Sequence, residues 1–309
     1  MHLNIVLFLV ALLGHYAAAD VKVICYYASW SAYNGYTPED FDPKLCTHVN
    51  YAFMGLWDDG NVKVEDDNLD IDERLYYRVT DWKKKNPTLK VLLSVGGGSD
   101  EAAKAFSGMA ANSGKKGAFI GSASYFISTL FYFLKDNFMK LLQDLKTAFK
   151  PHGWLLTAAV TANPEDGYDV KQMNNLLDYF NVMTYDMYGS WSSYTGQTSP
   201  LYASHVESDW EKHNLNIDAC SHNWICERYS AWTRVWDNEQ KNPYKYSGNQ
   251  WFGYDDSDSI WIKTDYIKDN GFFGVMIWAI DGDDVHGICG MKQNLLKHIN
   301  GALGKIDCC

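Results

Sequence analysis

Six apolar runs alternate with helix-forming segments along this chain, and that order constrains the fold more than any other feature. The runs are Val21–Trp30, His48–Trp57, Leu89–Gly97, Trp154–Thr161, Tyr179–Gly189 and Phe272–Asp281. Ile71–Lys85, Ala118–Leu134, Asn137–Lys150, Val170–Leu177 and Ile260–Asp269 read as helices. In the third of these, Phe138, Leu141, Leu142, Leu145 and Phe149 recur at three- and four-residue spacing and share one face. Alternating strands and helices argue for βα units around a parallel sheet. The expected fold is α/β, a TIM-type (β/α)8 barrel. It is expected to be incomplete, with about six recognisable strands where a closed barrel needs eight.

The runs end in side chains that packing alone does not require. Tyr27, Ser29 and Trp30 end the first, and Tyr51, Phe53 and Trp57 the second. Ser94-Val95-Gly96-Gly97 ends the third and Thr161 the fourth. Phe180–Trp191 finishes on Tyr185, Asp186, Tyr188, Gly189 and Trp191, and Trp278, Asp281, Asp283 and Asp284 follow the last run. In a parallel β/α barrel the carboxyl ends of the strands form the active-site face. Phenols and carboxylates supply hydrogen bonds there, and indoles supply flat apolar surfaces. That combination suits a sugar, which has hydroxyls and apolar ring faces. One such ending fits a core strand with a polar turn; six delivered to one face favour a pocket.

Charge and composition narrow the partners. The formal net charge of −11 argues against nucleic acid or an anionic membrane, since both would be repelled. Met1–Ala19 reads as a secretory signal: Ile5–Leu13 is its apolar core and Ala17-Ala18-Ala19 its cleavage site. The run is too short to span a membrane. The mature part, 20–309, reads as one barrel domain, secreted and monomeric. Seven cysteines fit an oxidising compartment. Cys25 and Cys46 lie on and near the first two strands and are placed to bridge them; Cys226 with Cys289 is the second expected pair. Cys220, Cys308 and Cys309 are left over. No Cys/His spacing suggests zinc, and Val95-Gly96-Gly97-Gly98 lacks the Lys and Ser/Thr of a phosphate loop. No metal and no organic cofactor is implied.

The motifs resemble glycoside hydrolase family 18, the chitinases and chitinase-like lectins. Val23–Trp30 is similar to that family's opening strand, as are Asn50-Tyr51-Ala52-Phe53 and Lys90–Gly97 with its Ser-x-Gly-Gly end. Val182–Gly189 resembles the Met-x-Tyr-Asp strand, and Asn249–Asp256 and Gly274–Trp278 resemble the late segments. The resemblance implies chitin or chito-oligosaccharides as partners. It implies a mechanism in which the substrate's own N-acetyl carbonyl attacks the anomeric carbon while a glutamic acid protonates the leaving oxygen. It also implies roles. Tyr185 would bond the acetamido oxygen, Asp186 would support it, Trp278 would be the floor and Trp30 would stack a neighbouring sugar. Tyr27, Phe53, Gly97, Met183 and Trp191 complete the expected sugar-binding set.

Two features of the family pattern are missing. The Asp-Gly-x-Asp-x-Asp-x-Glu strand that carries the acid has no counterpart, and Leu130–Asn137 reads as one helix joined directly to the next. Asp67–Glu73 is a decoy: it lacks the glycine, falls between the second and third strands, and suits a helix start. After Trp224 the chain runs straight into Ile225-Cys226-Glu227-Arg228, similar to the end of the family's inserted α+β subdomain. Gly98 stands where the family carries Trp. Asp186, Asp281 and Asp283 are expected near the cleft mouth, and Glu101 and Glu165 follow strands; none has the missing acid's placement. The expected function is therefore chitin binding without hydrolysis. The competing readings are a chitinase represented by an incomplete sequence and an isoform that misfolds.

Overall fold

The computed structural model describes residues 21–125, 128–129, 135–162, 169–188, 192, 195–205 and 222–307. Met1–Ala19, Glu165, Trp191, Cys220, Cys308 and Cys309 lie outside them. The six expected runs all form strands: β1 Lys22–Ala28, β2 His48–Leu56, β4 Lys90–Val95, β6 Thr157–Thr161, β7 Tyr179–Met183 and β11 Gly274–Ile277. A short β3, Val62–Val64, folds back antiparallel on β2. With β5 as Ser128–Thr129, the parallel pairing order is β11-β1-β2-β4-β5, with β6-β7 as a separate pair. In-register neighbours include Cys25 with Ile277, Tyr27 with Tyr51 and Thr161 with Met183.

One expectation is corrected at the fourth strand. The helix expected over Ala118–Leu134 runs instead over Ser113–Tyr125. Beyond it, β5 (Ser128–Thr129) pairs in parallel with Leu93 and Ser94 of β4. Among the described residues β5 stands beside β4 where the acid-bearing strand is expected, and its two residues, Ser128 and Thr129, carry none of the acid motif. Among the described residues no strand pairing joins β5 to β6 or β7 to β11, so the sheet is in two arcs. Strand number and tilt are linked in a barrel, and a two-residue strand cannot carry a full stave.

The helices pack outside the arcs. Lys135–Phe149 puts Phe138, Leu141, Leu142, Leu145 and Phe149 into one apolar cluster with Phe106, Phe119 and Leu156, as its spacing predicts. Asp100–Ala110 starts at Ser99, whose side chain accepts from the Ala102 amide. A second cluster surrounds Val23, Cys25, Tyr27, Val49 and Tyr51 with Trp82, Leu295 and Ile299. Both faces of the strands are buried, as parallel sheets require. An antiparallel sheet follows the gap: β8 Thr233–Asp237, β9 Asn242–Ser247 and β10 Gln250–Gly253.

Both expected disulfides form. Cys25 and Cys46 are joined with Cα atoms 6.1 Å apart, and Cys226 and Cys289 with Cα atoms 5.5 Å apart. Cys25 and Cys46 are buried in the cluster behind β1 and β2. A disulfide restricts the unfolded chain, and its loss costs about 2–4 kcal/mol. Replacing Cys25 and Cys46 together by Ala is expected to lower unfolding free energy by that amount in urea melts, with the native fold retained.

The decoy region is structural. Asn68–Asp72 makes a wide π-helical turn, closed by the Glu73 amide on the Asn68 carbonyl, and Asp66 accepts from the Leu69 amide. Asp70 is buried and accepts from the Tyr51 hydroxyl. Burial raises its carboxyl, and the Tyr51 hydrogen bond opposes that rise. The first helical residue after it is Leu75, and no acidic side chain caps it.

Candidate functional site: an aromatic cleft at the strand ends

The carboxyl ends of β1, β2 and β11 bring three rings together. Phe53 stacks on both Trp30 and Trp278, with ring centroids 5.9 Å and 5.4 Å away, and the three rings form a triangle. Trp30 and Trp278 are 6.1 Å apart, and Tyr26 meets Trp278 edge-on at 5.3 Å. The peptide bonds Ala52–Phe53 and Trp278–Ala279 are both cis. Trp30 is 44% exposed, so its ring is open to solvent although it is stacked on Phe53. Aromatic pairs of this kind prefer offset or edge contacts.

A cavity of about 540 Å³ opens over these rings. Tyr26, Phe53, Gly97, Met183, Tyr185, Asp186 and Trp278 are among its lining residues. Its size falls in the range of about 300–1,000 Å³ seen for small-molecule sites. Gly96 and Gly97 have φ of +112° and +122°, which favours glycine. A Cβ at Gly97 would stand 3.3 Å from the Phe53 ring, so the backbone approaches the platform as closely as it does only without a side chain. A Cβ at Gly98 would meet nothing within 4 Å, so that position opens onto the cavity.

The floor is polar. The buried Tyr26 hydroxyl accepts from the Asn181 side-chain amide at 3.1 Å. Burial pushes this phenol up to about 12, against Asn181, Ser94 and Asn50 around it. Asp186 sits at the rim with φ +59°. Partial loss of solvent raises its carboxyl. Among the described lining residues it is the one carboxylate.

The expected set is therefore largely assembled in one place. Phe53, Gly97, Met183, Tyr185, Asp186 and Trp278 line this cavity, and Trp30 lines the adjoining one. Tyr27 is a correction. It is fully buried on the opposite face of β1, packed against Trp82, Tyr36 and Tyr51, with its hydroxyl 3.4 Å from the Tyr36 carbonyl. Successive residues of a strand face opposite ways, so Tyr26 is the residue that reaches the cleft. Trp191 lies outside the described residues.

The other acids are placed too. Asp283 is buried and accepts from the Asp284, Leu295 and Leu296 amides; Asp284 accepts from Ile288 and Cys289. Both fasten the loop after β11 and do not line the cleft, contrary to the expectation for Asp283. Asp281 is also absent from the lining, and burial raises its carboxyl. Glu101 lines the adjoining cavity.

Strands and helices thus alternate in a parallel α/β arrangement, with Trp30, Phe53 and Trp278 gathered at the strand ends. The model for "Glycosyl hydrolases family 18" matches residues 22–283, and the chain belongs to that family. It is 29% identical to an endochitinase of Manduca sexta over 368 aligned positions, which cover 89% of this chain and 66% of that protein. That alignment is longer than the chain itself, so the relative carries stretches with no counterpart here. The chain spans about two thirds of that relative's length. The Group IV chitinase of Ostrinia furnacalis superposes with TM-score 0.85 at 29% identity, over 92% of this chain and 100% of that one. Human YKL-39, described as a pseudo-chitinase with retained chitooligosaccharide binding, superposes with TM-score 0.84 at 25% identity, over 92% and 100%.

Proposed function

We propose that this chain is a secreted chitinase-like protein that grips chitin or its oligosaccharides and does not cut them. The observation that carries the reading is a stacked aromatic cleft whose described lining holds one carboxylate, Asp186, and no glutamate. Stacking needs only Trp30, Phe53 and Trp278, which are in place. Tyr185 and Asp186 at the rim supply hydrogen bonds to sugar substituents. Hydrolysis needs more. Even where the substrate's acetamido group attacks, a protein acid must reach the leaving oxygen, and such proton transfer contributes about 10²–10⁴-fold. The two disulfides and the leader-like Met1–Ala19 support an extracellular location. Among the described residues no helix is long and apolar enough to cross a membrane.

Hydrolysis is the competing reading, and the raised carboxyl of Asp186 favours it to the extent that this group holds a proton more readily than an exposed aspartate. Two measurements decide. The folded protein is expected to be retained on chitin beads and released by soluble N-acetylglucosamine oligomers. It is expected to release nothing from a fluorogenic chitobioside. Failure to bind removes the proposal. Turnover that disappears in Asp186→Asn replaces it with catalysis.

A further inference from the structure

We propose that a separate cavity in the barrel wall, between β7 and β11, binds a small neutral aromatic molecule carrying one hydrogen-bond donor. The cavity has a volume of about 260 Å³. It lies where, among the described residues, no strand pairing joins the two strands. Phe180 and Val182 of β7 line it, as do Phe272 and Phe273, just before β11. Close-packed interiors leave few voids larger than a water molecule. An apolar cavity of about 150 Å³ is enough to take benzene. This one therefore admits a molecule of one or two rings. Its lining has the usual make-up of a small-molecule site, mostly apolar and aromatic with a few polar groups.

A buried acceptor sets the first feature of the ligand. Asn181 lines the cavity and is fully buried. Its Nδ2 donates to the Tyr26 hydroxyl at 3.1 Å, and its Oδ1 has no partner. A buried acceptor without a donor is unfavourable. A ligand O–H or N–H donating to Oδ1 satisfies it.

Charge and shape set the rest. Lys263 is the one charged residue among the described lining residues. Its ammonium donates to both Asp255 carboxylate oxygens and to the Ser199 carbonyl. An anionic ligand would find its cation already committed, and a cationic one would find no carboxylate in the lining, so the ligand is neutral. Phe273 stacks on Tyr179 with centroids 5.1 Å apart, and Phe272 lies 6.3 Å from Tyr266. These neighbours hold two rings at the cavity, where a flat aromatic ligand meets them face or edge. Among the described residues Met276 alone lines both this cavity and the strand-end cleft. None of Trp30, Phe53 and Trp278 lines it, so the site stands apart from the sugar-binding reading.

The test is calorimetric titration of the full chain with indole and with 1-methylindole, which lacks the N–H. Native protein is expected to bind one indole, and 1-methylindole about tenfold more weakly, the loss of one hydrogen bond to a buried acceptor. Val182 is 42% exposed and Phe272 44% exposed, so changes at either are expected to keep the native melting temperature. Val182→Trp places an indole of the protein's own at the cavity and is expected to weaken indole binding at least tenfold. Phe272→Ala removes one aromatic wall and is expected to weaken it about fivefold. The trimer of N-acetylglucosamine is expected not to displace indole. Absence of indole binding by native protein overturns the proposal. So do indole affinity unchanged by Val182→Trp, displacement of indole by the trimer, and equal affinity for indole and 1-methylindole.

Discussion

Replacing Lys263 with Met is expected to cost about 3–5 kcal/mol of folding free energy, the loss found when one member of a buried ion pair is removed. Lys263 and Asp255 are both fully buried side chains. The ammonium donates to the Asp255 carboxylate oxygens at 2.6 and 2.8 Å and to the Ser199 carbonyl at 2.6 Å. Ser259 and Ser199 hydroxyls donate to the same carboxylate at 2.6 and 3.2 Å. The bonds of Lys263 and Asp255 to Ser199 join helix Ser257–Asp269 to the segment 195–201. Met fills similar volume, so the expected loss is electrostatic: Asp255 loses the ammonium from which its carboxylate oxygens accept at 2.6 and 2.8 Å. The double variant Lys263→Met with Asp255→Asn removes the buried carboxylate charge as well. It is expected to be more stable than Lys263→Met alone in urea melts. Equal stability of the two would show that packing, and not the Asp255 charge, sets the loss.

What was legible in the sequence follows from what periodicity can and cannot encode. The six long strands were readable because parallel strands buried on both faces are continuous apolar runs. The same continuity hides their phase. Tyr26 and Tyr27 are both aromatic and both buried, and only the pairing of β1 between β11 and β2 decides which faces the cleft. The expectation fell on Tyr27; the structure gives Tyr26. β5 was unreadable because two residues carry no period, and the apolar stretch after Tyr125 continues the helical pattern before it. The sheet β8–β10 was missed as strands although Ser247-Gly248-Asn249 marks a turn between β9 and β10, where Gly248 has φ +60°. Asp283 was placed near the cleft by proximity in sequence. Its carboxylate instead accepts amides at the start of the last helix, Asn294–Ala302. Strand-end aromatics were the dependable signal, because Trp30, Phe53 and Trp278 sit at the ends of three neighbouring strands and must converge once those strands pair.

Trp278→Ala is expected to weaken binding of the N-acetylglucosamine trimer by roughly 30-fold or more, the loss of about 2 kcal/mol that defines a binding hot spot. Trp278 is the ring on which the cleft is built. It stacks on Phe53, touches Trp30, and rests edge-on against Tyr26, whose hydroxyl is fixed by Asn181. Removing the indole deletes the platform and releases Phe53 from one of its two stacked neighbours, so the effect exceeds the area of one contact. Tyr27→Phe is the matched control. Its hydroxyl lies on the far side of β1, where it donates to the Tyr36 carbonyl at 3.4 Å and meets the Ser31 side chain. That change is expected to leave trimer affinity within twofold. Thermal melts separate site loss from unfolding: Trp278→Ala must keep a single cooperative transition for its affinity change to count. Equal trimer affinities in Trp278→Ala and native protein would remove the aromatic platform from the explanation, and would leave the rim groups Tyr185 and Asp186 to account for any binding that remains.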